Sequence, residues 1–439
     1  MSHHQYSRNP DHIRRRNVPA PDNAAIDRHI KDLLSPAVYS QQAYYRSLGM
    51  RDRILTLSLM VAAVVTLLWH QVPSVNELSR MLNRKDLLWG KAVKVSRQAL
   101  SERFLSFPYQ LFEGVFQALV PTLKMQWSQR SRPLPPSVTY ALKHFEQVWA
   151  ADGSVLEALF RKLDSLKDCP VGQLAGKICT VIEVGSQLPV EIWFTENPKA
   201  HDCQFLERLL NLATAKTLLL LDRGFYDFEW WAQLIAKQVH FICAAKSNLV
   251  YTVLQDLSIT HGLTDRLIEI GQDRPGKPLV RLRLIEIRQG QGWYRYLTSV
   301  LEPEVLPPYV LIDLYARRWR IEDAFHLVKR LLGLSYLWTG SLNGIKLQIW
   351  ATWLMYAVLV DLSDAVADAV QLPLARISME MVWRGLYHFN HAYNTGQVTD
   401  PVAYLAAPEN RDLGVIKTIR KPPKQLDFSP YFQPLPKPS

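Results

Sequence analysis

Between Leu311 and Gly333 the chain reads LIDLYARRWRIEDAFHLVKRLLG. Leu314, Ile321, Phe325, Val328, Leu331 and Leu332 recur at helical spacing and form one apolar stripe. At roughly 100° per residue, Tyr315, Arg318, Glu322 and Lys329 share a different sector, roughly 60° wide. The pattern predicts one amphipathic helix whose open edge carries a phenol, a guanidinium, a carboxylate and an ammonium in a row. An ordinary solvated face explains such a row too, with Glu322 pairing to Arg318 at i,i+4 spacing. Only partners elsewhere in the chain can separate the two readings.

The apolar run Thr217–Leu221 predicts a buried strand, and further strands are expected over Gln147–Asp152, Lys177–Val184, Val190–Thr195 and Val239–Ala245. Helical patterns cover Cys203–Ala213 and Phe228–Lys237. Three strands, helix, strand, helix, strand is the order of an RNase H-like core: an α/β fold with a mixed sheet flanked by helices. From Leu267 to Ser299 the texture is again strand-like, with turns at DRPGKP and QGQG. Alternation is clean over Val280–Leu284 and breaks at Leu284–Ile285, which predicts a bulge or a register change.

The expected organisation follows. Residues 1–29 form a flexible basic arm, and 30–130 a helical N-terminal domain that could bind DNA ends. Residues 137–246 form the first part of the core, 247–310 a β-rich insertion, and 311–365 the second part. A helical region (366–416) and a Lys/Pro tail (417–439) complete the chain. The clearest boundary is SQRSRPLPPS, Ser128–Ser137, whose prolines cannot sit inside an element. Ser74 and Ser96 are placed to cap helices through VNELSRML and RQALSERFLSF, with Arg97 and Arg103 exposed. That pair fits either a helix-turn-helix or a plain helical bundle.

Charge narrows the function. A formal net charge of +11 points to a polyanionic partner, nucleic acid before membrane. Two apolar stretches, Ile54–Trp69 and Leu347–Leu362, are at or below the length of a membrane span and read as buried helices. No membrane is expected, and no signal peptide. Cys169, Cys179, Cys203 and Cys243 form no CxxC pair, so neither a disulfide framework nor a zinc site is indicated. A reducing, cytoplasmic, nucleoid-associated setting fits. His388 and His391 make an H-x-x-H inside an aromatic run, an unspecific pattern.

Two aspartates complete a set with Glu322. Asp152 ends the first expected strand, and Asp222 follows the apolar run directly. Polar residues at the carboxyl ends of buried strands project into the crevice where open α/β folds bind ligands. Each could instead begin a turn or cap a helix. Three carboxylates suit two divalent ions about 4 Å apart, Mg²⁺ or Mn²⁺ by ligand hardness, and phosphodiesters as substrate.

With these residues the chain resembles the DDE transposases of bacterial insertion sequences, in the subgroup with the Y-x2-R-x3-E-x6-K signature (the insertion sequence four family). The similarity runs from about Val148 to Val360 and includes ADGS, LDRGF, YARRWRIEDAFHLVK and NGIKLQIWA. It implies that Asp152, Asp222 and Glu322 are the catalytic, metal-binding triad, and that Tyr315, Arg318 and Lys329 grip DNA phosphates near the element's terminus. The implied reaction is cut-and-paste transposition: water nicks the transposon end, then the freed 3′-hydroxyl attacks. The implied partners are double-stranded DNA, as terminal inverted repeats and target, and a second copy of the chain in the DNA complex. A hairpin intermediate, described for the subgroup, would need an extruded base stacked on an aromatic; Trp293 and Tyr294 are the candidates, with sheet packing as their other reading. Arg97 and Arg103 are candidates for reading the terminal repeat.

Two other functions fit less of the chain. An RNase H-like metal-dependent DNA nuclease would need the triad but never join strands. A non-catalytic DNA-binding protein would need only the charge and the helical N-terminal region.

Overall fold

A computed structural model describes residues 24–416 apart from 73, 157–175, 290–291, 335–336 and 339–340. The Lys/Pro tail and most of the expected arm lie outside the described residues. Residues 24–29, expected in the arm, already belong to a helix, Ala24–Ser40.

Nine described strands form one sheet: β1 (Gln147–Leu156), β2 (Gly176–Glu183), β3 (Pro189–Thr195), β4 (Thr217–Leu221), β5 (His240–Ala244), β6 (Thr252–Ile259), β7 (Leu263–Ile270), β8 (Val280–Gln289) and β9 (Gly292–Thr298). Their order is β3-β2-β1-β4-β5-β9-β8-β7-β6. β4 lies parallel to both β1 and β5, and every other pairing is antiparallel. All five residues of β4 are buried, as expected for a strand flanked by parallel neighbours and covered on both faces. Leu218 and Leu220 point into one core with Val148, Ala150 and Ile178. Leu219 and Leu221 point into the other with Trp149, Ala151 and Cys179.

The β-rich stretch is continuous with this sheet, because β9 pairs with β5 over Ile242–Thr298 to Ala244–Tyr296. No bulge occurs at Leu284–Ile285: β8 pairs in unbroken register with β7 and with β9. Leu282 and Leu284 face the smaller core, and Ile285 and Ile287 face the larger. The alternation breaks in sequence because both faces of β8 are covered there. β6, which the sequence reading missed, is an edge strand with almost every residue exposed, so it has no buried face to impose a period.

The larger core is organised around the helix Leu342–Ala369, buried along nearly its whole length. By length and composition it could cross a membrane, but 94% of its most apolar stretch is buried inside the protein. It packs against Gln110–Gln129, Leu57–Trp69, Arg97–Ser106 and β3. Ser128–Ser137 straps across it. Arg130 reaches Asp361 (2.7 Å) and Asp364 (2.8 Å), Arg132 pairs with Asp364, and the backbone N–H groups of Ser131 and Arg132 donate to Asp368 at 2.7 and 2.8 Å. The stretch is not wholly outside the elements as expected: Ser128 and Gln129 end the helix Gln110–Gln129, and Pro136 opens the helix Pro136–Ala141, where a proline fits the first turn.

Both expected caps form. Ser74 Oγ accepts from Glu77 N (3.2 Å) and Ser96 Oγ from Ala99 N (3.1 Å). The helices they start, Val75–Leu82 and Arg97–Ser106, are in contact, but a long connection with a Leu87–Gly90 bridge joins them rather than a tight turn.

Candidate active site

Strand register sets the first two carboxylates side by side. Ala151 of β1 pairs with Leu221 of β4, so the next residue on each parallel strand is an aspartate, Asp152 and Asp222. Neighbouring strands run about 4.8 Å apart. Asp152 does not end its strand as expected. β1 outlasts β4 and keeps pairing with β2 as far as Leu156, with Asp152 opposite Thr180. Side chains alternate between faces, so Asp152 follows Ala150 onto the larger core's side of the sheet. On that side the helix Arg320–His326 crosses β1 and β2 and carries Glu322.

One guanidinium joins the three. Arg318 Nη1 donates to Asp152 Oδ2 at 2.6 Å, and Nη2 stands 3.4 Å from Glu322 Oε1 and 3.9 Å from Asp222 Oδ1. The Asp222 and Glu322 oxygens are therefore no farther apart than the sum of those last two distances. Two ions about 4 Å apart span a comparable gap. Asp222 accepts no capping bond from the turn Arg223–Phe225. Asp227 instead caps the following helix through Trp230 N at 2.9 Å. The capping reading of Asp222 therefore fails, while the turn reading holds: Phe225 N donates to Asp222 O at 3.1 Å and the 3₁₀ turn starts there.

Charge is unbalanced here: three carboxylates face one buried guanidinium. Burial pushes the Asp152 carboxyl up to about 6; Arg318 pulls against it, while Asp222 and Glu322 add repulsion. Burial also raises Glu322, again opposed by Arg318. Among the described residues no three His, Cys, Asp or Glu side chains stand close enough to cage an ion as they are. The position between the carboxylates belongs to Arg318. As donors the residues suit a divalent cation: hard oxygens, closely spaced, carrying more negative charge than the one guanidinium offsets.

The Tyr315–Lys329 stretch departs from the single helix expected. Pro308–Arg317 and Arg320–His326 are separate helices, and Leu327–Leu331 winds as a π-helical turn. At the junction the bonds shorten to i→i+3, Arg318 N to Tyr315 O (3.1 Å) and Ile321 N to Arg318 O (3.0 Å). A constant 100° per residue fails where the helix first tightens and then widens. The open row of four polar groups is therefore absent. Tyr315 is buried, its ring 5.0 Å from that of Tyr296, and burial raises its phenol. Arg318 points inward. Lys329 Nζ donates to Ser154 Oγ (2.6 Å) and to Val155 O (2.7 Å), tying the π turn to β1 just beyond Asp152. Ser154 has no signature of its own in the sequence beyond its place two residues after Asp152.

The remaining candidates divide. Trp293 and Tyr294 are 48% and 43% exposed near the start of β9, where they pair with Arg288 and Ile287 of β8. Arg97 is exposed at the start of its helix. Arg103, expected on the surface, is not: its Nη2 donates to Tyr45 Oη (2.6 Å) and Leu55 O (3.0 Å), and its guanidinium lies over the Phe107 ring. Partly buried, it ties its helix to Tyr45 and to the segment before Leu57–Trp69. His388 and His391 are both exposed on the helix Met379–Asn394.

Residues 169–358 match the family model described as the transposase DDE domain. That portion of the chain is similar to a transposase. The match contains Asp222 and Glu322 and begins after Asp152. A putative transposase, y4zB, of Sinorhizobium fredii is 23% identical over 248 residues, covering 52% of this chain and 67% of that protein. A probable transposase for insertion sequence element IS5377 of Geobacillus stearothermophilus is 25% identical over 214 residues, covering 47% of this chain and 55% of the relative.

Proposed function

We propose that this protein is a DNA transposase that cuts and joins insertion-sequence ends through Asp152, Asp222 and Glu322. The observation that carries the reading is the convergence of these three carboxylates, far apart in the chain, on the guanidinium of Arg318. The transposase DDE match and the two transposase-named relatives support it. The Y-x2-R-x3-E-x6-K spacing supports the insertion sequence four subgroup. The order β3-β2-β1-β4-β5, with β1, β4 and β5 parallel, supports an RNase H-like core, and β6–β9 supply the β-rich insertion.

Asp152, Asp222 and Glu322 would hold two Mg²⁺ or Mn²⁺ ions, which when bound activate the attacking oxygen and stabilise the leaving one. The chain's own residues do the rest. Arg318 gathers the carboxylates in the free protein, and Tyr315, packed on Tyr296, anchors the turn that aims it. On DNA, Arg318 and Lys329 exchange carboxylate and β1 oxygens for phosphate oxygens, as guanidinium and ammonium groups do readily. Trp293 and Tyr294 offer exposed rings for an unstacked base, and Arg97 offers a phosphate contact outside the site. Bringing two element ends together calls for a second copy of the chain.

The test is Mg²⁺-dependent nicking of an element end by Asp152→Ala, Asp222→Ala and Glu322→Ala. Each is expected to lose cleavage and keep DNA binding; normal nicking removes that residue from the site. Joining of a pre-cleaved end to target DNA separates a transposase from a nuclease that only cuts.

A further inference from the structure

The carboxylates are held from behind as well as from in front. Gly153 follows Asp152 and so faces the opposite side of the sheet, the side of Ala151 and Cys179. Asp202, in the short 3₁₀ turn Asp202–Phe205, lies there. Its carboxylate is lodged between two glycines: a methyl built on Gly153 would overlap its Oδ1, and one built on Gly224 would overlap its Oδ2. Gly153 is one residue past Asp152, and Gly224 is two residues past Asp222. One side chain therefore touches both segments that carry the aspartates.

Asp202 is itself held. Lys177 Nζ pairs with Asp202 Oδ1 at 2.7 Å and donates to Ala200 O at 3.0 Å, with both partners of the pair largely buried. The Lys177 stem crosses Gly153, and its Cε would also meet a methyl there. Cys203 Sγ donates to Gly224 O at 3.3 Å, fastening the 3₁₀ turn to the segment after Asp222. A short side chain pinned at its tip cannot swing aside, and close-packed interiors transmit such a wedge's position to the backbone it touches. The two glycines are what allow that approach.

We infer that Asp202, braced by Lys177, is a positioning residue that sets the spacing of Asp152 and Asp222 from the far face of the sheet. The inference rests on the transposase reading of those two aspartates. Asp202 takes no part in the chemistry. Its removal lets β1 and the segment after β4 shift, and displacements of about 1 Å in catalytic groups cost up to about 100-fold in rate.

The test uses the full chain with an element-end duplex, and reads Mn²⁺ affinity by electron paramagnetic resonance beside nicking rate, DNA affinity and melting temperature. Asp202→Ala is expected to weaken Mn²⁺ binding and slow nicking by about tenfold, within the range for groups that support ligating carboxylates. DNA affinity should stay near wild type, and the metal-free melting temperature should fall in Asp202→Ala and Asp202→Asn alike, since each leaves buried Lys177 without its counter-charge. Asp202→Asn, which keeps the wedge's shape, should recover most of the losses in Mn²⁺ binding and nicking. Wild-type Mn²⁺ affinity in Asp202→Ala, or an equal loss in Asp202→Asn, overturns the inference. Should Asp202→Ala not fold, a size swap decides. Gly224→Ala alone should lose nicking, and adding Asp202→Ala should restore part of it because the new methyl takes the vacated space. Full nicking by Gly224→Ala, or no gain in the pair, overturns it equally. Normal nicking by the Asp152, Asp222 and Glu322 alanine variants would take down both readings, whereas inactive triad variants beside a wild-type Asp202→Ala would take down only this one.

Discussion

Two buried arginines in this protein face acids in opposite proportions. Arg283, on β8, meets Asp265 on β7 through two 2.6 Å bonds, with a third bond of 2.7 Å to Leu306 O. Both side chains are essentially sealed from solvent, at 0% and 2% exposed, and the charges cancel one for one. Arg318 is nearly as buried, at 6%, yet it serves three carboxylates, keeps only one at short range, and leaves its Nε without a hydrogen-bond partner. Asp222 beside it is 42% exposed. A balanced pair is a structural fastening. A surplus of acid around one cation, opening to solvent, is the feature on which the proposed metal site rests.

That contrast can be broken in four ways. The largest effect is on activity: Asp222→Ala or Glu322→Ala should abolish end nicking, while Asp265→Ala, in whatever fraction folds, should nick normally. Equal losses would erase the distinction. Stability should run the other way. Asp265→Ala leaves a buried guanidinium uncompensated and should cost about 3–5 kcal/mol in a denaturant melt, whereas Asp222→Ala removes as much repulsion as attraction and should leave the metal-free melt nearly unchanged.

The third effect is on pH. Burial holds the Asp152 carboxyl up at about 6 in the folded chain, against about 3.9 unfolded. Between those values the native state holds the extra proton. Metal-free stability should therefore fall as pH rises from about 4 to 6, by on the order of 3 kcal/mol, and level off above. Saturating Mg²⁺ should reverse or flatten the trend. A metal-free stability that climbs over that window, with Asp152→Asn behaving like wild type, would deny Asp152 its raised value. The smallest effect belongs to Lys329. Lys329→Ala should weaken end-complex formation modestly and lower the salt slope by about one counterion; an unchanged slope would leave Lys329 as a tie to Ser154 alone.

Much of this was readable from residue pattern, and the failures have physical causes. β4 matches its expected span because a threonine and four leucines bounded by Lys216 and Asp222 admit few other elements. β1 was expected to stop at Asp152 because a charge normally ends a buried run; the strand continues since β2, unlike β4, extends beyond it. The Tyr315–Lys329 helix was misread where tertiary contacts override a uniform period, with Arg318 drawn toward Asp152 and Lys329 toward Ser154. Arg103 sits at a helical position that solvent usually claims, and the Tyr45 hydroxyl and the Leu55 carbonyl, distant in sequence, draw it partly out of solvent. The three carboxylates were legible as residue types after strands and on a helix. Their common guanidinium and the wedge behind them were not, since both depend on pairings between segments far apart in the chain.

The central claim is that Asp152, Asp222 and Glu322 form one cation site that Arg318 fills in the free protein. Anomalous scattering from crystals soaked in Mn²⁺ tests it most directly. The account predicts manganese within about 2.0–2.6 Å of oxygens from all three residues, with the Arg318 guanidinium withdrawn from between them. Manganese bound elsewhere, with Arg318 still bridging the three carboxylates at saturating metal, would contradict it.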